Sequence, residues 1–176
     1  IPEELENPFQ YAWAMEWRKL YSTWDNNLEG YVLQKNLVIP KGVKQIESRA
    51  FQNTDLETVK LPDTLTIIRP WAFSDCRHLR SVKFEDGLEM VGGFSGCIDL
   101  KEVTLPKSVK FLLPHAFEGC KGLEYCWLPD GITFEFGRGY AEPLGNEQFK
   151  EAFNGKTARL IISGSVNGLT KEVFKE

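Results

Sequence analysis

The chain has 176 residues, 42% of them hydrophobic, with a formal net charge of −4 and four cysteines. That is one domain with apolar material for a sizeable core, and its acidic balance argues against nucleic acid, which calls for a basic stripe. No run of 18 apolar residues occurs, so no membrane span is expected.

The chain begins Ile1-Pro2-Glu3, with neither an initiator methionine nor a leader. It reads as a processed or trimmed product, and the native compartment is left open. Residues 1–35 do not repeat and are expected to form a helical cap. Asn7-Pro8-Phe9-Gln10 has the form of a helix start, with Asn as N-cap, Pro at the first helical position and Gln at the third. Phe9, Trp13, Trp17, Leu20 or Tyr21, and Trp24 then fall at spacings of three and four, an apolar stripe on one face. The spacing predicts a helix over 8–24 that covers the open core of the first rung. The competing reading is an aromatic stripe left for a partner.

From Asn36 onward the chain repeats itself. Aligned on a leucine, it reads Leu56-Glu57-Thr58-Val59-Lys60-Leu61-Pro62, then Leu79 to Glu85, Leu100 to Pro106 and Leu123 to Pro129. The leucines are 23, 21 and 23 residues apart, a period that means stacked supersecondary units. Val-x-Leu alternates with period 2, so each copy holds a short strand with one buried face. Proline ends it, since proline cannot donate to a ladder.

After the strand come two apolar residues and then a small residue followed by phenylalanine. Val43, Ile46 and Ala50-Phe51 form one such set, Leu65, Ile68 and Ala72-Phe73 the next, and Val109, Leu112 and Ala116-Phe117 a third. The first apolar residue and the Phe are 8 apart in each, while Leu88, Val91 and Gly93-Phe94 are shortened by two. Two residues past the Phe stand Asn53, Asp75, Gly96, Gly119 and Gly155, types that tolerate a left-handed backbone, so a tight turn is expected there. That alignment uses Phe153 as the fifth corner. It makes 21 residues from Ile132 to Phe153 where other rungs use 8, an insertion at about 137–149. Leu160-Ile161-Ile162, Val166, Leu169 and Val173-Phe174 close the chain, giving about six rungs over 36–176.

The motif L-x-x-V-x-L-P-x-x-V-x-x-I-x-x-x-A-F-x-x-C, as it stands from Leu56 to His78 and from Leu100 to Gly122, resembles the BspA-like leucine-rich repeat family. The resemblance implies a leucine-rich repeat solenoid with a parallel sheet on one face, an α/β fold once the N-terminal capping helix is added. It also implies a secreted or cell-surface protein of bacterial type that takes part in adhesion or protein binding.

Cys76, Cys97 and Cys120 share one position, three after the Phe, and Cys126 stands where Val59, Val82 and Val103 stand. They read as small buried hydrophobes and unpaired thiols. Paired C-x-x-C spacing for zinc is missing, and a disulfide framework would not run down one column. His78 and His115 read as surface or packing residues, and no nucleophile elbow, zinc-protease or phosphate-loop motif occurs. The chain is therefore expected to be no enzyme and to need no cofactor or metal.

Surface recognition remains. The residues flanking each inward Val form two outward columns: Asn36, Thr58, Ser81, Glu102, Tyr125, Arg159, and Val38, Lys60, Lys83, Thr104, Trp127, Ile161. Trp, Tyr and Arg are the types enriched at interface hot spots. The candidate partner surface is Tyr125, Trp127, Arg159, Ile161, Lys83 and Glu102, with Arg138 and Tyr140 from the insertion. A protein partner is expected; a glycan stacked on the aromatic rings, or a structural segment of a longer surface protein, are the alternatives.

Overall fold

The structure is a computed structural model that describes residues 22–25, 30–33, 35–134, 148–153 and 158–167. It opens with a hairpin, β1 (Ser22–Asp25) antiparallel to β2 (Gly30–Leu33), with Trp24 opposite Tyr31. This corrects the end of the expected 8–24 helix. Thr23, Trp24, Tyr31 and Val32 are strand formers, and the Asp25-Asn26-Asn27 and Gly30 between them are turn types. Residues 8–21 lie outside the described residues, among which there is no helix, so the capping helix has no support and the described fold is all β.

Each rung then contributes two strands. They are β3 (Asn36–Val38) and β4 (Gln45–Ile46), β5 (Thr58–Lys60) and β6 (Ile67–Ile68), β7 (Ser81–Lys83) and β8 (Met90–Val91). After these come β9 (Glu102–Thr104) and β10 (Phe111–Leu112), β11 (Tyr125–Leu128) and β12 (Ile132–Phe134), β13 (Arg159–Ile162) and β14 (Val166–Asn167). Every rung-to-rung pairing is parallel. The chain makes four uninterrupted turns from Asn36 to Tyr125 and, past the insertion, adds a last pair of strands. The second strands of the rungs make one six-stranded sheet, β4-β6-β8-β10-β12-β14. The Val-x-Leu strands make two sheets of three, β3-β5-β7 and β9-β11-β13.

Between the sheets lies one continuous core. Val59, Val103 and Cys126 are buried as expected, whereas Val82 and Leu160 are only partly so. Leu160 belongs to the last rung, and Val82 lies where the first sheet is broken. The corner is a column of stacked rings, Phe51, Phe73, Phe94, Phe117 and Phe149, with successive centroids 5.2, 5.2, 5.6 and 5.7 Å apart. Their backbones are laced in step: Phe73 N–H donates to Gly93 O, Phe94 N–H to Ala116 O and Phe117 N–H to Gln148 O.

Phe149 therefore holds the fifth corner, which corrects the assignment of Phe153 as the corner ring and of Gly155 as its turn residue. Phe153 stacks outside it at 5.5 Å. The left-handed residue is Glu151 (φ 51), in line with Asn53, Asp75, Gly96 and Gly119 (φ 58 to 73), and Ala152 takes the cysteine position. The insertion shrinks accordingly: Ile132 to Phe149 is 17 residues, nine more than the regular 8. A second left-handed position precedes each long corner, at Arg49, Trp71 and His115 (φ 64, 61 and 57).

All four cysteines are free and buried, as expected. Three of them do more than fill space. Cys76 Sγ donates to Phe51 O at 3.1 Å, Cys97 Sγ to Phe73 O at 3.2 Å and Cys120 Sγ to Phe94 O at 3.1 Å. Each thiol thus takes up the corner carbonyl of the rung before it. Thr54 does the same for its own corner, Oγ1 donating to Phe51 O at 2.9 Å.

Candidate functional site

The registers align the two outward columns as the alternation implies. Asn36, Thr58 and Ser81 are partners, as are Val38, Lys60 and Lys83. Beyond the break, Glu102, Tyr125 and Arg159 are partners, as are Thr104 and Trp127, with Trp127 also opposite Ile161. Neighbouring strands in a sheet are about 4.8 Å apart, so Tyr125, Trp127, Arg159 and Ile161 lie on adjoining strands of one face. Tyr125 and Trp127 are half-buried, Arg159 is exposed and Ile161 is 40% exposed. Glu102 adjoins this patch. Lys83 does not: it lies on β7 in the other half-sheet and pairs with Glu85 at 2.6 Å. Arg138 and Tyr140 lie outside the described residues.

The face divides by character. Its first half is basic, with Lys60 and Lys83 exposed beside Val38, itself 57% exposed. A cleft of about 400 Å³ opens at the end of these strands, floored by Val38, Ile39, Leu61 and the prolines Pro40 and Pro62. The sequence signal for it is the Leu-Pro and Ile-Pro step, since proline ends the ladder and leaves the strand end uncovered. The second half presents two rings, a guanidinium and a branched alkyl group.

Those groups stack, pack and donate hydrogen bonds, and no nucleophile and base adjoin one another among them. The buried thiols are poor nucleophiles and metal ligands, because burial favours their neutral form. Burial pushes Cys120 up to about 12, and Cys97 and Cys126 move the same way for the same cause. Among the described residues no group of three His, Cys, Asp or Glu side chains is placed to hold a metal ion. Among the described residues there is no helix long and apolar enough to cross a membrane. His115 Nδ1 lies 2.7 Å from Glu118 Oε2 in a largely buried pairing, and His78 Nδ1 lies 3.7 Å from Asp99 Oδ2 at the surface.

A parallel solenoid whose rungs carry leucine at one fixed position and phenylalanine at another defines a leucine-rich repeat protein. Six copies of the BspA type leucine rich repeat region match residues 28–136, more than half of the chain, which belongs to that family. Two crystal structures are similar to it at 26% identity. One is a leucine-rich repeat protein from Bacteroides ovatus, with a TM-score of 0.59 over 78% of this chain and 37% of that one. The other is a leucine rich cell surface protein from Faecalibacterium prausnitzii, with a TM-score of 0.58 over 82% of this chain and 38% of that one. The chain thus spans just over a third of either. The leucine rich repeat protein of T. pallidum shares the fold at 19% identity, with a TM-score of 0.53 over 80% of this chain and 81% of that one. No curated protein matches the chain.

Proposed function

We propose that the chain is a non-catalytic binding module of a cell-surface protein, and that it docks a protein partner on the outward face of β9, β11 and β13. The observation that carries this is the run of register partners Tyr125–Arg159 and Trp127–Ile161, which groups interface-type side chains on a face that is polar elsewhere apart from Val38. Arg138 and Tyr140 of the insertion are proposed as further contributors to partner binding on residue type alone. The surface location rests on the family and on the likeness to the cell surface protein of F. prausnitzii. A glycan is the second reading, favoured by the two half-buried rings on one face.

The test compares the chain with its Trp127→Ala variant against immobilised host-surface proteins and a glycan array, with circular dichroism to check folding. Loss of Trp127 is expected to weaken protein binding tenfold or more, which is about 1.4 kcal/mol, and leave the fold intact. Retention of a glycan in its place, lost in the variant, establishes the second reading. Binding that survives the substitution moves the site elsewhere, first to the Val38–Lys60 cleft.

A further inference from the structure

The first sheet is broken once, between β7 and β9, while the second sheet runs through. No backbone hydrogen bond joins Ser81–Phe84 to Glu102–Thr104, although every other neighbouring pair of Val-x-Leu strands is laddered. The rung concerned is the short one. Ile46, Ile68 and Leu112 precede their corner rings by five positions, and Val91 precedes Phe94 by three. In the second sheet the same rung is held as its neighbours are: Glu89 and Met90 N–H donate to Thr66 O and Gly92 N–H to Ile68 O, so the break is confined to the first sheet.

This rung also carries an unlike residue. Phe84 stands in the column of Leu61, Leu105 and Leu128. Those leucines are buried, whereas Phe84 is partly exposed, and so is Val82 beside it. The Phe84 ring sits edge-on to Phe94, 5.7 Å between centroids and 75° between planes. A ring longer than leucine fills core space that the shortened corner gives up, and its strand is held away from β9.

We propose that this rung is a hinge with Phe84 as its wedge. Residues 35–84 form one block and 100–134 another, and the β7–β9 gap opens and closes between them. The phenylalanine stack and the six-stranded sheet act as the backing that stays continuous. In a paired ladder, separating two strands breaks backbone hydrogen bonds that must be made again elsewhere. At this gap there are none to break, so the motion costs only side-chain contact. The basic part of the outward face (Lys60, Lys83) and the aromatic part (Tyr125, Trp127) lie on different blocks, so the angle between them changes without change inside either.

Paired spin labels measure this. Lys60→Cys with Thr104→Cys spans two strand steps across the break, and Val38→Cys with Lys83→Cys spans two steps within one half-sheet. The native thiols are buried and stay unlabelled. The distance distribution for the 60–104 pair is expected to be at least about twice as wide as that for the 38–83 pair. Adding Phe84→Leu is expected to narrow it to the control width and to slow hydrogen exchange at the Glu102 and Thr104 amides tenfold or more. Equal widths for the two pairs in the Phe84 chain overturn the hinge. A Phe84→Leu chain that keeps the wide distribution removes Phe84 as its wedge.

Discussion

A thiol in the cysteine column does what alanine or leucine could not. It is small enough for the space behind the corner ring and still donates to the corner carbonyl of the rung before it, as a second donor beside Thr54 Oγ1 at Phe51 O and beside the Cys76 and Cys97 N–H groups at Phe73 O and Phe94 O. The donor must keep its proton, which ties stability to alkaline pH. The unfolded thiol ionises near its ordinary value of 9.0, whereas folded Cys120 holds its proton up to about 12. Above pH 9 the native state binds more protons than the unfolded one, so stability falls as pH rises through that window. Denaturation midpoints between pH 7 and 10.5 are expected to decline, and a Cys97→Ala, Cys120→Ala chain is expected to be less stable at pH 7 but flatter in its decline. A midpoint that does not move with alkali would contradict the buried-thiol account. Phe73, fully buried between Phe51 and Phe94, anchors the column beside it. Its replacement by alanine is expected to cost about 3–5 kcal/mol in equilibrium denaturation, and a loss below about 1 kcal/mol would mean that the corner can collapse around the missing ring.

At the scale of elements, the turns between the two strands of a rung are tied to the neighbouring rung by side chains. Thr64 Oγ1 accepts from Gly42 N–H at 2.9 Å and donates to Val43 O at 3.0 Å. Ser108 repeats this with Gly87 N–H and Leu88 O. In the last turn a carboxylate takes over: Asp130 Oδ1 accepts from Ser165 N–H at 2.6 Å and from its hydroxyl at 3.1 Å. Those donors hold the Asp130 carboxyl below its usual range. The link is therefore complete above the ordinary carboxylate pKa and is lost as pH falls through the lower folded one. Ser165 amide exchange, measured after correction for the intrinsic pH effect, is expected to speed up below pH 4 in the natural chain and to show no such step in Asp130→Asn. The Val-x-Leu strands, the first four corner rings and their left-handed turns are legible in the sequence, because each rests on a period or a residue type that local physics demands. The strands of the second sheet were legible only as apolar positions, since two residues are too few to show an alternation. Trp71 and His115 gave no sign of their left-handed backbone, because such residues avoid it unless the surroundings impose it. The fifth corner is hidden in the sequence because Gly155 is the favoured turn type two residues past Phe153, while Glu151, two past Phe149, adopts that conformation. Trp24 matched a helical stripe by spacing, yet its cross-strand pairing with Tyr31 prevailed. Of the candidate site, the outward columns were legible through period 2, but the break that parts Lys83 from the aromatic patch was not, since it depends on how one bulky ring fits a short corner.

Among the described residues, the strand ladders and the ring stack join each rung to the next. Most of the charge pairs do the same: Lys35–Glu57, Lys41–Asp63, Arg69–Glu47, Lys110–Glu89, Lys101–Glu124 and Lys121–Glu151 each link one rung to the next. Each is largely solvated and worth about 0–1 kcal/mol, so the rings and aliphatic columns carry the fold and the charges help to fix which rung follows which. A stack held by nearest neighbours does not unfold as a closed globule does. Its stability is a sum over rungs and interfaces, so a rung with neighbours on both sides opens less often than a terminal one. The Phe73 and Phe94 amides sit on central corners, bonded to Gly93 and Ala116 of the following rungs and covered by rings on both sides. The amides of Arg159 and Ser163, bonded to Glu124 and Leu128, belong to β13 and the turn that follows it, and β13 is paired on one side only among the described residues. Native-state hydrogen exchange is expected to rank Phe73 and Phe94 slowest and to find Arg159 and Ser163 at least tenfold faster, with the rungs between them graded. A single exchange free energy shared by all four amides would show one cooperative unit in place of a sum of rungs.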